Sequence, residues 1–218
     1  MKEFAAAAVL TDPAFAVPPV PPATDGVAWL RCHVARFSDG AEHLRRRALT
    51  VSLLDTIDVD ALREPSHHHP VARLAAAMGA GVDVVELVGG VAQAYQPGTG
   101  DERVADAAVA GLVGIFGGIT DELTAARIGI LVQAFAATAA LIARARDGAG
   151  GVAEALAVDP PVPATRRVAL IATTVDGVGI EAGEVVRVLL AGDAAFGLGQ
   201  HRCPGRPHAL ALVEGALA

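Results

Sequence analysis

Aromatic side chains are scarce in this chain: six Phe, one Tyr and one Trp among 218 residues. With 53% of residues hydrophobic, the apolar mass is Ala, Val and Leu, a composition that favours closely packed helices. Lysine is nearly absent. Lys2 stands alone against sixteen Arg, which reads as a high-GC coding bias and not as a binding feature. Cysteine is limited to Cys32 and Cys203, too few for a disulfide framework. Positive charge is in the minority, and the net charge of −7 argues against a nucleic-acid partner. It is compatible with a basic redox partner or with ordinary solubility. Long apolar runs are missing too. The longest uncharged stretch, Ile128 to Ala143, is too short and too flanked by Arg for a membrane span. The N-terminal Ala run is brief and stops at Asp12-Pro13, unlike a signal peptide. A soluble, cytoplasmic protein with no membrane contact is expected, and one domain is the default at this length.

One string near the C-terminus carries chemistry: Phe196-Gly197-Leu198-Gly199-Gln200-His201-Arg202-Cys203-Pro204-Gly205. It contains what a protein needs to hold a haem iron by one thiolate. Gly197 and Gly199 have no Cβ, so a loop there can lie close to a flat porphyrin. Phe196 can cover the sulfur side of the ring, and His201 can reach a propionate. Cys203 precedes a run that reads as a helix, with Pro204 at a favoured first position. The positive end of such a helix favours the thiolate form. A thiolate behind haem iron pushes electron density to the metal and favours O–O cleavage. A Gly-rich hairpin with an incidental buried cysteine is the plain alternative.

The string resembles the haem-binding signature of the cytochrome P450 family. The resemblance implies a reduced P450-like fold, mainly α with a small antiparallel β part, in one haem-binding domain over 1–218. It implies haem b (iron protoporphyrin IX) with the Cys203 thiolate as axial ligand, and the coding bias is that of an actinobacterial member. Family chains are usually close to twice this length, so much of the usual architecture must be missing. Residues 1–24 read as an extended, Pro-rich lead-in.

Other landmarks follow in the family's order. The segment Trp29 to Phe37, then Gly40 to Ala48, looks like the early helices, and the family's His-x-x-x-Arg pattern falls on His43 and Arg47. These lie at i and i+4 on one helix face, where both can reach one propionate. Arg45 and Arg46 are expected in solvent. His67-His68-His69 reads as a polar turn without a metal, and Pro70 to Gly79 resembles a stretch common in bacterial members. Helical segments are expected over 82–95 and 101–116. The longest helical signal, Thr120 to Arg146, can be capped by Asp121 or by Thr120 with Glu122, and ends at Gly148 to Gly151. It resembles the helix that crosses the distal haem face.

Here the chain departs from the family. Where Ala/Gly-Gly-x-acid-Thr is usual, it has Ala134-Phe135-Ala136-Ala137-Thr138. Thr138 keeps a hydroxyl for the distal face, or bonds its own i−4 carbonyl. Ala137 has no carboxylate to relay protons, and Phe135 replaces a glycine beside Ala134. Glu154 matches the family's Glu-x-x-Arg, but Ala157 stands at the arginine. In Pro161 to Ala169, Arg167 is favoured over Arg166 as the propionate contact. Strands follow over 168–171, 175–180 and 185–190, with Asp176-Gly177 as a hairpin turn. The stretch that normally separates the last strand from the haem loop is deleted, and the closing strands are absent.

Three functions follow from these residues. One is a haem-thiolate oxidative enzyme on a small organic molecule of secondary metabolism: a monooxygenase served by a ferredoxin or reductase, or a peroxide-using or atypical haem enzyme. Thr138 and Cys203 favour it. The second is a haem-binding carrier or sensor without turnover, favoured by Phe135. The third is a haem-free helper of a partner enzyme. The missing elements would leave an apolar patch that a homodimer could cover.

Overall fold

Short helices, one long helix and two small sheets make up the protein, which is mainly α with a small β part. The computed structural model describes residues 1–148 and 150–218. In chain order the elements are β1 (Glu3–Ala5), α1 (Ala6–Val9), β2 (Phe15–Ala16), α2 (Gly26–Cys32), α3 (Gly40–Leu54), α4 (Val59–Arg63), α5 (Pro70–Ala77), α6 (Val85–Ala92), α7 (Glu102–Ile115), α8 (Glu122–Asp147), α9 (Gly151–Val158), β3 (Ala164–Ala169), β4 (Thr173–Val175), β5 (Val178–Ile180), β6 (Val185–Leu189) and α10 (Arg206–Leu217). They form two compact units. One joins Met1–Pro19 to Ala143–Cys203; the other joins Val20–Ile142 to Pro204–Ala218.

The larger unit is helical because short polar residues stop and cap its segments. Asp58 and Asp101 accept the first free N–H groups of α4 and α7. Asp106, on α7, performs the same task for α2 by accepting the Val27 N–H at 2.8 Å. Asp121 caps α8 through the Thr124 N–H at 2.8 Å, so of the capping residues expected there the single-residue option holds. Trp29, Leu30, Leu74, Val88, Leu112, Ile128, Leu131 and Leu212 build one apolar core. Arg31 is buried beside it, ion-paired with Glu102 at 2.7 Å and donating to the Ala94 and Tyr95 carbonyls. Helix α8 is long and apolar enough to cross a membrane by length and composition, yet 56% of its most apolar window is buried inside the protein. The expected stop of α8 at 148–151 includes residue 149, which lies outside the described residues.

The smaller unit carries a four-stranded sheet in the order β1-β6-β3-β2. Its β2–β3 and β3–β6 pairings are antiparallel, while β1 joins β6 in parallel with Glu3 opposite Arg187. Phe4, Phe15, Val186 and Val188 turn inward to a second apolar core. Within residues 1–24, Phe4 and Phe15 anchor β1 and β2 to this core, with the one-turn helix α1 between them. The β4–β5 hairpin turns at Asp176 and Gly177, both left-handed, as expected of a tight two-residue turn. Glu154 accepts the Gly150 N–H at 2.6 Å, while Arg144, near the end of α8, pairs with Asp159 after α9 at 2.6 Å.

Candidate functional site

The cysteine string forms one closed loop after β6. The Cys203 N–H donates to the Phe196 carbonyl at 2.8 Å, and the Gly197 N–H donates to the Ala194 carbonyl at 2.8 Å. Gly199 to His201 makes a single 3₁₀ turn, closed by the Arg202 N–H on the Gly199 carbonyl at 3.1 Å. Both loop glycines are left-handed, with φ of +73° at Gly197 and +65° at Gly199. At Gly199 a Cβ would stand 2.8 Å from the Leu10 carbonyl oxygen, so sequence and neighbour both demand glycine there. Phe196 and His201 are half-buried, and Cys203 is exposed. Among the described residues neither cysteine is in a disulfide.

The helix after the thiol starts later than expected. Cys203, Pro204 and Gly205 form a turn, and α10 begins at Arg206 with Pro207 in its first turn. The Phe196 carbonyl holds the Cys203 N–H, so residue 203 completes the loop and the helix nucleates only beyond Gly205. Pro207, not Pro204, takes the position that tolerates a missing N–H.

Arg167 lies in β3, opposite Val186 of β6, in the same unit as the loop. Strand alternation buries Arg167 and exposes Arg166. The buried guanidinium donates to the Arg166 carbonyl at 2.8 Å.

Four further residue positions of interest stand on α3. His43 is fully buried and Arg47, one turn on, is half-buried. Among the described residues Arg47 makes no ion pair. Arg45 and Arg46 are not simply solvated. Arg45 grips Glu122 at the start of α8 with two bonds of 2.8 and 2.9 Å. Arg46 is buried, donates to the same carboxylate at 2.9 Å and pairs with Glu42 at 3.2 Å. The fork from Arg45 holds the Glu122 carboxyl down at about 2, with Arg46 adding to it and burial opposing. Helix periodicity shows which residues share a face of α3, but not that this face meets α8, so the sequence missed the cluster.

On α8, Ala134 and Phe135 are half-buried and Thr138 is buried. Thr50 and Thr11 bond the carbonyls four residues back. Among the described residues Thr138 shows no bond to the carbonyl four residues back. Phe135 rests on α6 and on His69. A Cβ on Gly89 would stand 3.0 Å from the tip of its ring, and the His69 ring lies 5.0 Å from it at 31°.

Neither a protein-family profile nor a curated protein sequence matches the chain. Solved structures do. P450BioI in complex with an acyl carrier protein carrying hexadec-9Z-enoic acid is similar with a TM-score of 0.67 and 18% identity, over 97% of this chain and 81% of that one. P450 RauA with a biosynthetic intermediate of aurachin RE is similar at TM-score 0.67 and 19% identity, over 96% and 79%. CYP109E1 from Bacillus megaterium with testosterone gives 0.63 and 17%, over 98% and 81%. The chain has the cytochrome P450 fold. In chain order the loop ending at Cys203 and the turn at Gly205 follow β6. The loop residues and Arg167 belong to the smaller unit; His43, Arg47, Ala134, Phe135, Thr138 and Gly205 belong to the helical one.

Proposed function

We propose that the chain is a haem-thiolate oxidative enzyme acting on a small organic molecule. The observation that carries this reading is the Cys203 loop: an exposed thiol closing a loop with two left-handed glycines, on a P450 fold. These residues fit haem. A thiol is the right donor, glycines admit a flat ring, and the buried Arg167 and His43 with the unpaired Arg47 are suited to carboxylates. When bound, haem b with a thiolate ligand supplies an electron-rich iron that favours O–O cleavage.

Each residue then has a task. Cys203 would ligate the iron. Phe196, Gly197, Gly199 and Gly205 would cover the thiolate and exclude water. His43 and Arg47 of the helical unit, and Arg167 and His201 of the smaller unit, would hold propionates. Ala134 and Phe135 would line the distal side, and the Thr138 hydroxyl would hold a proton there. Ala137 cannot pass a proton on, so delivery falls to water. An oxidant that arrives already reduced has less need of that relay, so peroxide is favoured over dioxygen with a ferredoxin or reductase. The similar structures were solved with an acyl carrier protein, a biosynthetic intermediate and a steroid, which supports a small organic substrate and a place in secondary metabolism. We assign the protein to the cytoplasm as one haem-binding domain.

A second reading, a haem-binding carrier without turnover, is favoured by Phe135 and Ala137. One spectrum separates the readings. Reduced protein exposed to carbon monoxide should give the strongly red-shifted Soret band of thiolate ligation, and Cys203→Ala should abolish it. A band unchanged in that variant removes Cys203 as ligand. Thiolate ligation without turnover of peroxide or dioxygen selects the carrier, and failure to bind haem selects a haem-free helper.

A further inference from the structure

Helix α5 begins with an uncommon arrangement. Pro70, its first residue, has no N–H. The Ala72 and Arg73 N–H groups both reach the His69 carbonyl, at 2.9 and 3.3 Å. That leaves the Val71 N–H as the donor of this first turn that needs a side chain, and Val71 is 0% exposed. Its partner is the His69 ring nitrogen Nδ1 at 3.2 Å. An imidazole can accept a hydrogen bond only through an unprotonated nitrogen, so this contact requires the neutral ring with its proton on Nε2. The same ring lies against Phe135 of α8, 5.0 Å between centroids, and Gly89 of α6 lies so near that Phe ring that a Cβ there would stand 3.0 Å from its tip.

We propose that His69 is a pH-sensitive catch: while neutral it caps α5 and holds the Phe135 ring of α8, and on protonation it releases both. Protonating Nδ1 turns the acceptor into a donor facing a buried N–H. The ring must then turn away or leave that N–H unsatisfied, a costly outcome inside a core. Turning away also removes one side of the Phe135 contact. The charged surroundings do not cancel this. Asp83, before α6, is the group that favours the imidazolium; Arg73 on α5 is directed to the Leu62 and Ala61 carbonyls; α6 and α8 present Gly89 and Phe135, which carry no charge. His67 and His68, on the same turn, are exposed. Burial lowers the His69 titration below the usual histidine value, outweighing Asp83. A lowered folded-state value means that the unfolded chain takes up the proton first. The stability His69 contributes is therefore complete above the ordinary histidine value and is lost as pH falls below it toward the depressed one.

The test compares the full chain with His69→Asn, whose side-chain oxygen can cap Val71 but does not titrate. Two-dimensional NMR of the wild type should show His69 as the Nε2–H tautomer at pH 7.5, titrating below an ordinary histidine. The Phe135 ring signals should shift with the same midpoint and stay constant in His69→Asn. From pH 7.5 to 5 the folding constant of the wild type should fall about tenfold more than that of the variant for each unit of lowering. Phe135 signals that ignore the His69 titration overturn the proposal, as does an equal pH slope in wild type and variant. If His69→Asn does not fold, the wild-type tautomer and the shared midpoint decide alone. None of these readouts involves haem, so the catch stands or falls apart from the proposed function.

Discussion

At the scale of single residues, Glu122 shows how much one carboxylate can tie together. It takes three charge-assisted bonds from Arg45 and Arg46 and sits in the first turn of α8, where negative charge is also favoured by the helix dipole. Its carboxyl is held at about 2, below the unfolded-chain value of 4.5, so its contribution is present above that value and is lost as pH falls toward 2. Glu122→Gln should cost about 1–2 kcal/mol at pH 7 after allowance for the solvent around Arg45. Urea denaturation at pH 7 and pH 3 checks this: the gap between wild type and variant should shrink at the lower pH. Gly199→Ala should cost about 1–3 kcal/mol, because alanine is strained at a positive φ and its Cβ meets the Leu10 carbonyl. Ala137→Glu restores a proton-relaying group. On the proposed function it should raise dioxygen-driven turnover, by at least about tenfold, and leave peroxide-driven turnover unchanged. The thiol loop was legible because its fixed spacing of Gly, His and Cys is a local signal. Arg46 was not, because its partner lies 76 residues along the chain on another helix.

Among the elements, the approach of α10 to α4 depends on a missing side chain. Gly215 in α10 lies so near the end of α4 that a Cβ would stand 2.6 Å from the Glu64 carbonyl oxygen and 2.7 Å from that of Leu62. The Ser66 N–H donates to the Gly215 carbonyl at 2.9 Å, and Arg73 closes the Leu62 and Ala61 carbonyls of α4. Alanine would suit a helix better than glycine by about 1 kcal/mol, yet Gly215→Ala should destabilise by about 1–3 kcal/mol because backbone must move. A thermal melt of that variant tests it. Helix α8 and the Asp176-Gly177 hairpin were legible in the sequence, the first from length and apolar mass, the second from turn chemistry. Strand β1 was not. Three residues, Glu3 to Ala5, carry no periodicity, and only the distant β6 makes them a strand. The start of α10 was misplaced by two residues because the turn through Pro204 and Gly205 that follows the closed loop precedes the helix.

For the molecule as a whole, two separate apolar cores stand behind the P450 fold. The sheet unit has the smaller one, built on Phe4, Phe15, Ile180, Val186 and Val188, against the many Leu, Ile and Val of the helical unit. Burial of apolar area sets stability, so the sheet unit should open first. Hydrogen exchange should find the β3 and β6 amides protected at least about tenfold less than those of α7 and the first half of α8; equal protection throughout would show a single cooperative unit. The two-part sheet unit also has a consequence for synthesis. Strand β1 is made long before β6, for the register partner of Glu3 is Arg187. At 5–20 residues per second the first strand waits roughly ten to forty seconds for β6. Through that interval Phe4 and an unpaired strand edge are exposed on the nascent chain. The ribosome thus makes the β1 residues well before the strand that completes them, and dependence on chaperones should follow the exposure of Phe4 and its neighbours in that interval.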